Sequence, residues 1–193
     1  MHRLQYCFFI LLFCSFIACA STEEETADTA KAPAEPGISY PDSTNGQLKQ
    51  LLKSYYAVKD ALVKSDSVAV QSLAGELNSF VLSLHISSAT SADKSSQSGV
   101  AQYMEALQSS SAAIQQTSSL ESQREVFETL SDNLYELINT LKPAGMEIYQ
   151  QYCPMAFNDK GASWLSDTAH IQNPYFGRKM LTCGEVRQTL RYQ

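Results

Sequence analysis

No cluster of lysines and arginines occurs in this chain, and no short signature of an enzyme is present. There is no glycine-rich phosphate loop, no Ser-His-Asp arrangement with a local signature, and no zinc-type pair of CxxC motifs. Acidic residues outnumber basic ones, 20 to 14, for a formal net charge of −6. Phosphate backbones demand basic contacts, so this balance excludes nucleic acid as a partner. Lone carboxylates such as Asp167 and Glu185 have no recognisable catalytic partner. The chain therefore reads as a binding protein and not an enzyme. A membrane-spanning segment is also missing: the apolar run 8–17 is well short of the roughly 20 residues a spanning helix needs.

That short run has a different meaning. Arg3 precedes it and Phe16-Ile17-Ala18-Cys19 closes it, which is the build of a secretory signal. The closing residues resemble a bacterial lipoprotein signal, in which a small residue precedes a cysteine that becomes lipid-modified and N-terminal. This implies a signal over 1–18 and lipidation at Cys19. Ser21-Thr22-Glu23-Glu24-Glu25 resembles the surface-export signal of Bacteroidetes lipoproteins. Residues 19–42 are rich in Ala, Thr, Glu and Pro, too poor in apolar surface to offset the entropy of ordering them. They are expected to form an acidic, disordered tether. The implied location is the cell envelope, as an outer-membrane lipoprotein facing the periplasm or the cell surface, held to the membrane by its lipid.

Residues 43–193 are long enough for one domain with a real core. Leu48, Leu51, Leu52, Tyr55, Val58 and Leu62 recur at three- and four-residue steps, marking one face of a helix. Ser65-Asp66-Ser67 supplies a cap for a second helix, whose stripe is Val70, Leu73, Leu77, Phe80, Val81 and Leu84. The Ser-, Thr- and Ala-rich span 87–98 reads as a loop. A third stripe follows in Val100, Tyr103, Met104, Leu107, Ser111 and Ile114. Ser118 with Glu121 has capping-box spacing ahead of a fourth, Phe127, Leu130, Leu134, Leu137, Ile138 and Leu141, which Pro143 and Gly145 close. The pattern predicts a mainly α fold, an antiparallel four-helix bundle.

After Pro143 the texture changes. Imperfect alternation over 146–157, a turn at Asp159-Lys160-Gly161 and a return over 162–165 predict a short β-hairpin. Asn173 and Gly177 mark another turn, and Thr182 or Cys183 is expected to open a terminal helix through Glu185, Val186 and Leu190. The bundle should thus carry a small C-terminal appendage, 146–193, rich in Cys, Met and aromatic residues. Trp164, Tyr175 and Phe176 read as its packing.

Cys7 and Cys14 would leave with the signal and Cys19 would carry lipid, so Cys153 and Cys183 are the thiols left in the domain. Each has a methionine close by, Met155 and Met180. Cys153 and Met155 point to the same side of an extended segment, and Met180 and Cys183 are one turn apart. Thiolate and thioether are soft donors that select Cu(I) over hard cations, so two cysteines and two methionines could hold a cuprous ion. His170 lies between the pairs and is a further candidate ligand. His85, at the end of the second helix, reads as a cap-side surface residue. Alternatively, an oxidising envelope favours a Cys153–Cys183 disulfide, whose roughly 30-residue loop would stabilise the appendage by about 3–4 kcal/mol. A disulfide removes both thiolates, so the two readings exclude each other.

A resemblance bears on both. Tyr152-Cys153-Pro154-Met155-Ala156, Trp164-Leu165-Ser166, Asn173-Pro174-Tyr175-Phe176-Gly177 and Lys179-Met180-Leu181-Thr182-Cys183-Gly184-Glu185-Val186 resemble the C-terminal signature of the domain-of-unknown-function 3347 family. Phe127-Glu128-Thr129-Leu130-Ser131 and the 55–62 segment resemble its helical part, so that the likeness runs over 48–186. It implies Bacteroidetes envelope lipoproteins and a domain also fused to heavy-metal efflux adaptors of the copper and silver type. Where some relatives carry histidine, this chain has Tyr152 and Val100. The resemblance implies a lipid-anchored protein binding a soft metal such as Cu(I), as an accessory to metal efflux or metal handling. The alternative is a metal-free helical interaction module of an envelope complex with a structural Cys153–Cys183 disulfide.

Overall fold

The computed structural model describes residues 34–84, 86 and 94–193, except for the side chains of 94–96. The expected signal 1–18, Cys19, the tether to residue 33, His85 and residues 87–93 lie outside the described residues. Among those described, no helix is long and apolar enough to cross a membrane.

Four helices pack together: α1 (Asp42–Lys64), α2 (Ser67–Ser83), α3 (Lys94–Gln116) and α4 (Leu120–Leu141). The apolar stripes meet in one core, with Leu48, Tyr55, Leu62, Val70, Leu77, Leu107, Ile114, Phe127, Leu134 and Ile138 all buried. Asp66 caps α2, its carboxylate accepting from the Ala69 N–H at 3.0 Å. Short connections after α1 and α3 return each helix against its predecessor. Lys142 ends α4 in the left-handed conformation, its N–H bonded to the Ile138 carbonyl at 2.8 Å, and Pro143 prevents continuation.

The appendage is a three-stranded antiparallel sheet, order β2-β1-β3, formed by β1 (Met146–Cys153), β2 (Ala162–Ser166) and β3 (Glu185–Tyr192). The expected hairpin is present, Cys153 standing opposite Ala162 and Tyr149 opposite Ser166. The expected terminal helix is not: 185–192 is the third strand. A helix would have left one side of β1 without partners for its backbone N–H and C=O groups. As a strand, the segment also buries Leu190 beside Ile148 and Tyr192 beside Met146. The register shifts between Gln150 and Gln151, leaving Arg187 as the extra residue on β3, its guanidinium 3.2 Å from the centre of the Tyr152 ring.

Three boundaries also differ from expectation. The span 87–98 is helical from Lys94 onward, where the helix anchored by the buried Val100, Leu107 and Ile114 extends toward its N-terminus. Ser119, not Ser118, caps α4 by accepting from the Ser122 N–H. Finally, the last stretch of the expected tether is docked on the domain. Glu35 and Gly37 donate backbone hydrogen bonds to Arg191 and Gln193, Ile38 bonds to Lys142, and the buried Tyr40 hydroxyl donates to the Leu141 carbonyl at 2.8 Å. A β-carbon on Gly37 would stand 2.8 Å from that of Tyr192, so only glycine allows this approach.

Candidate functional site

The two cysteines meet on the face of the sheet covered by the 167–183 loop. Cys153 is the last residue of β1 and is fully buried; Cys183 follows a 3-10 turn (Gly177–Lys179) and is half-buried. Their sulfurs lie 3.0 Å apart across 30 residues of sequence, and both are free thiols. The hydrogen bond with Cys153, then burial, pushes the Cys183 thiol up to about 11. The Cys183 thiol is thus held protonated at neutral pH, in contact with the Cys153 sulfur.

Cys183 is placed by a polar clamp. Asn173 is buried; its Nδ2 donates to the Cys183 carbonyl at 2.7 Å, and its Oδ1 accepts from the Tyr175 and Phe176 N–H groups at 2.8 and 3.1 Å. The Asn173 N–H also donates to the Leu181 carbonyl at 2.8 Å, so one residue fixes both ends of the loop before β3. Gly184 follows at φ 146°, and a β-carbon there would stand 2.8 Å from the Tyr152 carbonyl and 2.9 Å from the Trp164 ring. Gly177, at φ 56°, sits equally tightly against Val63, Ser65 and Arg124. Arg124 ties this loop to the bundle: Nε donates to the Pro174 carbonyl at 2.9 Å, and Nη2 to Leu62 O and Ser65 Oγ.

Aromatic rings join the appendage to the helices. Tyr55 of α1 stacks on Phe127 of α4 at 5.2 Å, and Tyr175 contacts Phe127, Phe157 and Trp164 at 5.3–6.0 Å. The Tyr55 hydroxyl bonds to Ser131 Oγ at 2.7 Å and accepts from the Leu165 N–H of β2 at 3.1 Å. Desolvation by burial raises the pKa values of Tyr55 and Tyr175 well above the phenol range. Opposite Trp164 on the ladder, buried Gln151 donates to the Thr168 and His170 carbonyls. The expectation that Trp164, Tyr175 and Phe176 serve in packing holds: the first two are buried, and the half-buried Phe176 packs against the same core.

Of the other candidate ligands, Met155 and His170 are exposed. Met155 is 46 % exposed and lines a groove of about 740 Å³ with Phe157, Phe176, Arg124 and Lys179, to which neither cysteine contributes. His170 is exposed and is engaged through its backbone, its N–H donating to Thr168 Oγ1. Met180 accepts from the Cys183 N–H through its carbonyl at 3.1 Å. Among the described residues, no group of three or more His, Cys, Asp or Glu could hold a metal ion. Bonds of 2.3 Å to a tetrahedral ion would hold two sulfurs about 3.8 Å apart, and a linear ion about 4.6 Å. At 3.0 Å the pair as placed does not fit a bridging ion; the distance suits closure to a disulfide.

Sequence reasoning located the cysteines and missed their supports, above all Asn173 and Arg124. It also missed the turn after Met155, where Phe157, Asn158 and Asp159 all have φ between 52° and 65°. Successive left-handed residues cost about 1–2 kcal/mol each, least for Asn and Asp. The edge contact of Phe157 on Tyr175 is what holds the costly member in place. Both this turn and the Tyr175–Lys179 side of the groove lie inside the loop that the cysteines bracket.

A family model described as a protein of unknown function (DUF3347) matches residues 51–145, from α1 to the turn before β1. The sulfur pair lies beyond the matched segment. Searches of curated proteins and of solved structures return no match.

Proposed function

The chain belongs to the DUF3347 family through residues 51–145, and from that premise we propose that it is a non-catalytic interaction module of the cell envelope. In this reading Cys19 carries the lipid that attaches it to the membrane, and a Cys153–Cys183 disulfide fixes its C-terminal appendage. The carrying observation is the 3.0 Å approach of the two sulfurs on a face clamped by Asn173 and Gly184. An oxidising compartment then converts a preformed contact into a crosslink with little rearrangement. The groove beside Met155 supplies a surface for another envelope protein, of which a metal-efflux component is one candidate.

The same juxtaposition supports a second reading, in which reduced Cys153 and Cys183 bind Cu(I) in a metal-handling role. That reading requires the sulfurs to separate from 3.0 Å toward about 4 Å or more, with Met155, Met180 or His170 drawn in. Cuprous-ion titration of the reduced protein, against a variant with both Cys153 and Cys183 changed to serine, separates the two. The module reading predicts equally weak binding by both proteins. Tight binding that is lost in the double variant would replace it with the metal reading.

A further inference from the structure

Cys153 and Cys183 differ in one respect that matters for exchange chemistry: their access to solvent. Cys153 is fully buried, held in register opposite Ala162 and in contact with the Cys183 sulfur. Cys183 is half-buried on that loop, between exposed Leu181, Thr182 and Glu185. Thiol–disulfide exchange is an in-line attack of one sulfur on another, so the sulfur that can be approached decides where exchange occurs. Resting on the crosslink reading above, we propose that Cys183 is the site at which this pair exchanges with external thiols and disulfides, and that Cys153 acts only as the resolving sulfur.

The steps balance. In the oxidising direction Cys183 gives its proton to water and its thiolate attacks an external disulfide of the glutathione type. A mixed disulfide forms on Cys183, and one external thiolate departs with the electron pair of the broken bond. Cys153 then loses its proton and attacks Cys183 Sγ; the Cys153–Cys183 bond forms and the second external thiolate leaves. Two protein thiols are oxidised, and one external disulfide is reduced to two thiols. In the reducing direction an external thiolate attacks Cys183 Sγ, and the electron pair leaves on Cys153, which is reprotonated by water.

The Asn173 clamp makes this asymmetry a property of the fold. Its hydrogen bond to the Cys183 carbonyl and the tight seat of Gly184 set which side of Cys183 faces outward. Nothing comparable opens a path to Cys153, whose own strand is paired on both sides up to Tyr152.

The test uses the reduced full chain and its Cys153→Ala and Cys183→Ala variants, folded, with oxidised glutathione as the probe. Peptide-resolved mass spectrometry reads the adduct; trypsin releases Cys183 in the peptide 180–187. Cys153→Ala should accumulate one glutathione on Cys183, while Cys183→Ala should react at Cys153 at least about tenfold more slowly. In denaturant the two cysteines should react at similar rates, which separates an access effect from intrinsic reactivity. A folded Cys183→Ala that is modified as fast as Cys153→Ala overturns the proposal. Rapid acid or alkylation trapping of wild type gives the same answer without substitution, because the transient adduct must appear on 180–187. If wild type crosslinks through an adduct on Cys153, the proposal fails and the crosslink reading stands. If wild type never crosslinks under this oxidant, the crosslink reading itself fails.

Discussion

The bundle and the appendage are stabilised in different ways. The helices bury a repeated pattern, Leu after Leu at three- and four-residue steps, and no single member defines the arrangement. The appendage has few such repeats. It depends on singular contacts: one asparagine clamping a loop, one arginine bridging three segments, two glycines at close approaches, and a tyrosine hydroxyl from α1 reaching the backbone of β2. Periodic burial tolerates substitution if volume is kept. Unique polar contacts do not, because breaking one leaves a buried partner unsatisfied.

This contrast can be broken or sharpened by substitution. Trp164 is the largest of the fully buried side chains and lies under Tyr175 and Gly184. Trp164→Ala should cost about 3–5 kcal/mol in denaturant unfolding. If it costs under 1 kcal/mol, roughly the scale of a surface change, the appendage is not built around that ring. Asn173→Ala strands the Tyr175 and Phe176 N–H groups and the Cys183 carbonyl, and should cost about 2–4 kcal/mol. It should also slow disulfide formation, whereas a bundle substitution of equal cost, such as Leu134→Ala, should not. Equal slowing by both would show that global stability, not the clamp, governs the pair. The smallest of these effects belongs to the helices: Asp66→Ala removes the α2 cap and should cost about 1 kcal/mol without affecting the cysteines.

Alkaline pH should weaken the junction between the two regions. Burial raises the pKa values of Tyr55, Tyr56 and Tyr175 above the ordinary value of 10 and pushes Tyr192 up to about 12. Folded values above unfolded ones mean that the protecting contribution is fully present below pH 10 and is lost as pH rises past it. Denaturation midpoints should therefore stay level through neutrality and fall between pH 10 and 12. A midpoint that rises over that interval would contradict the assigned burial.

How far the sequence reveals each region follows from the same contrast. The α1, α2 and α4 stripes and the β-hairpin were legible because their signal is repeated. The last strand was not, since Val186 and Leu190, four apart, also fit a helical face, and the extra residue at Arg187 breaks strict alternation. Docking of 35–40 rests on Gly37 and Tyr40, single residues inside a stretch whose composition reads as tether. At the site, the two cysteines were evident as the domain's thiols, but Asn173 read only as a turn residue. A buried polar clamp has no period, and its partners are distributed over 10 residues of loop.

The central claim is that Cys153 and Cys183 form a crosslink in the protein as it occurs in an oxidising envelope. The most direct measurement is the intact mass and free-thiol content of chain isolated without reductant, with peptide mapping of 180–187. The account predicts no reactive thiol at either position, a mass lower by two hydrogens, and a peptide joined to the one containing Cys153. Two freely alkylated cysteines in folded protein from that compartment would contradict it.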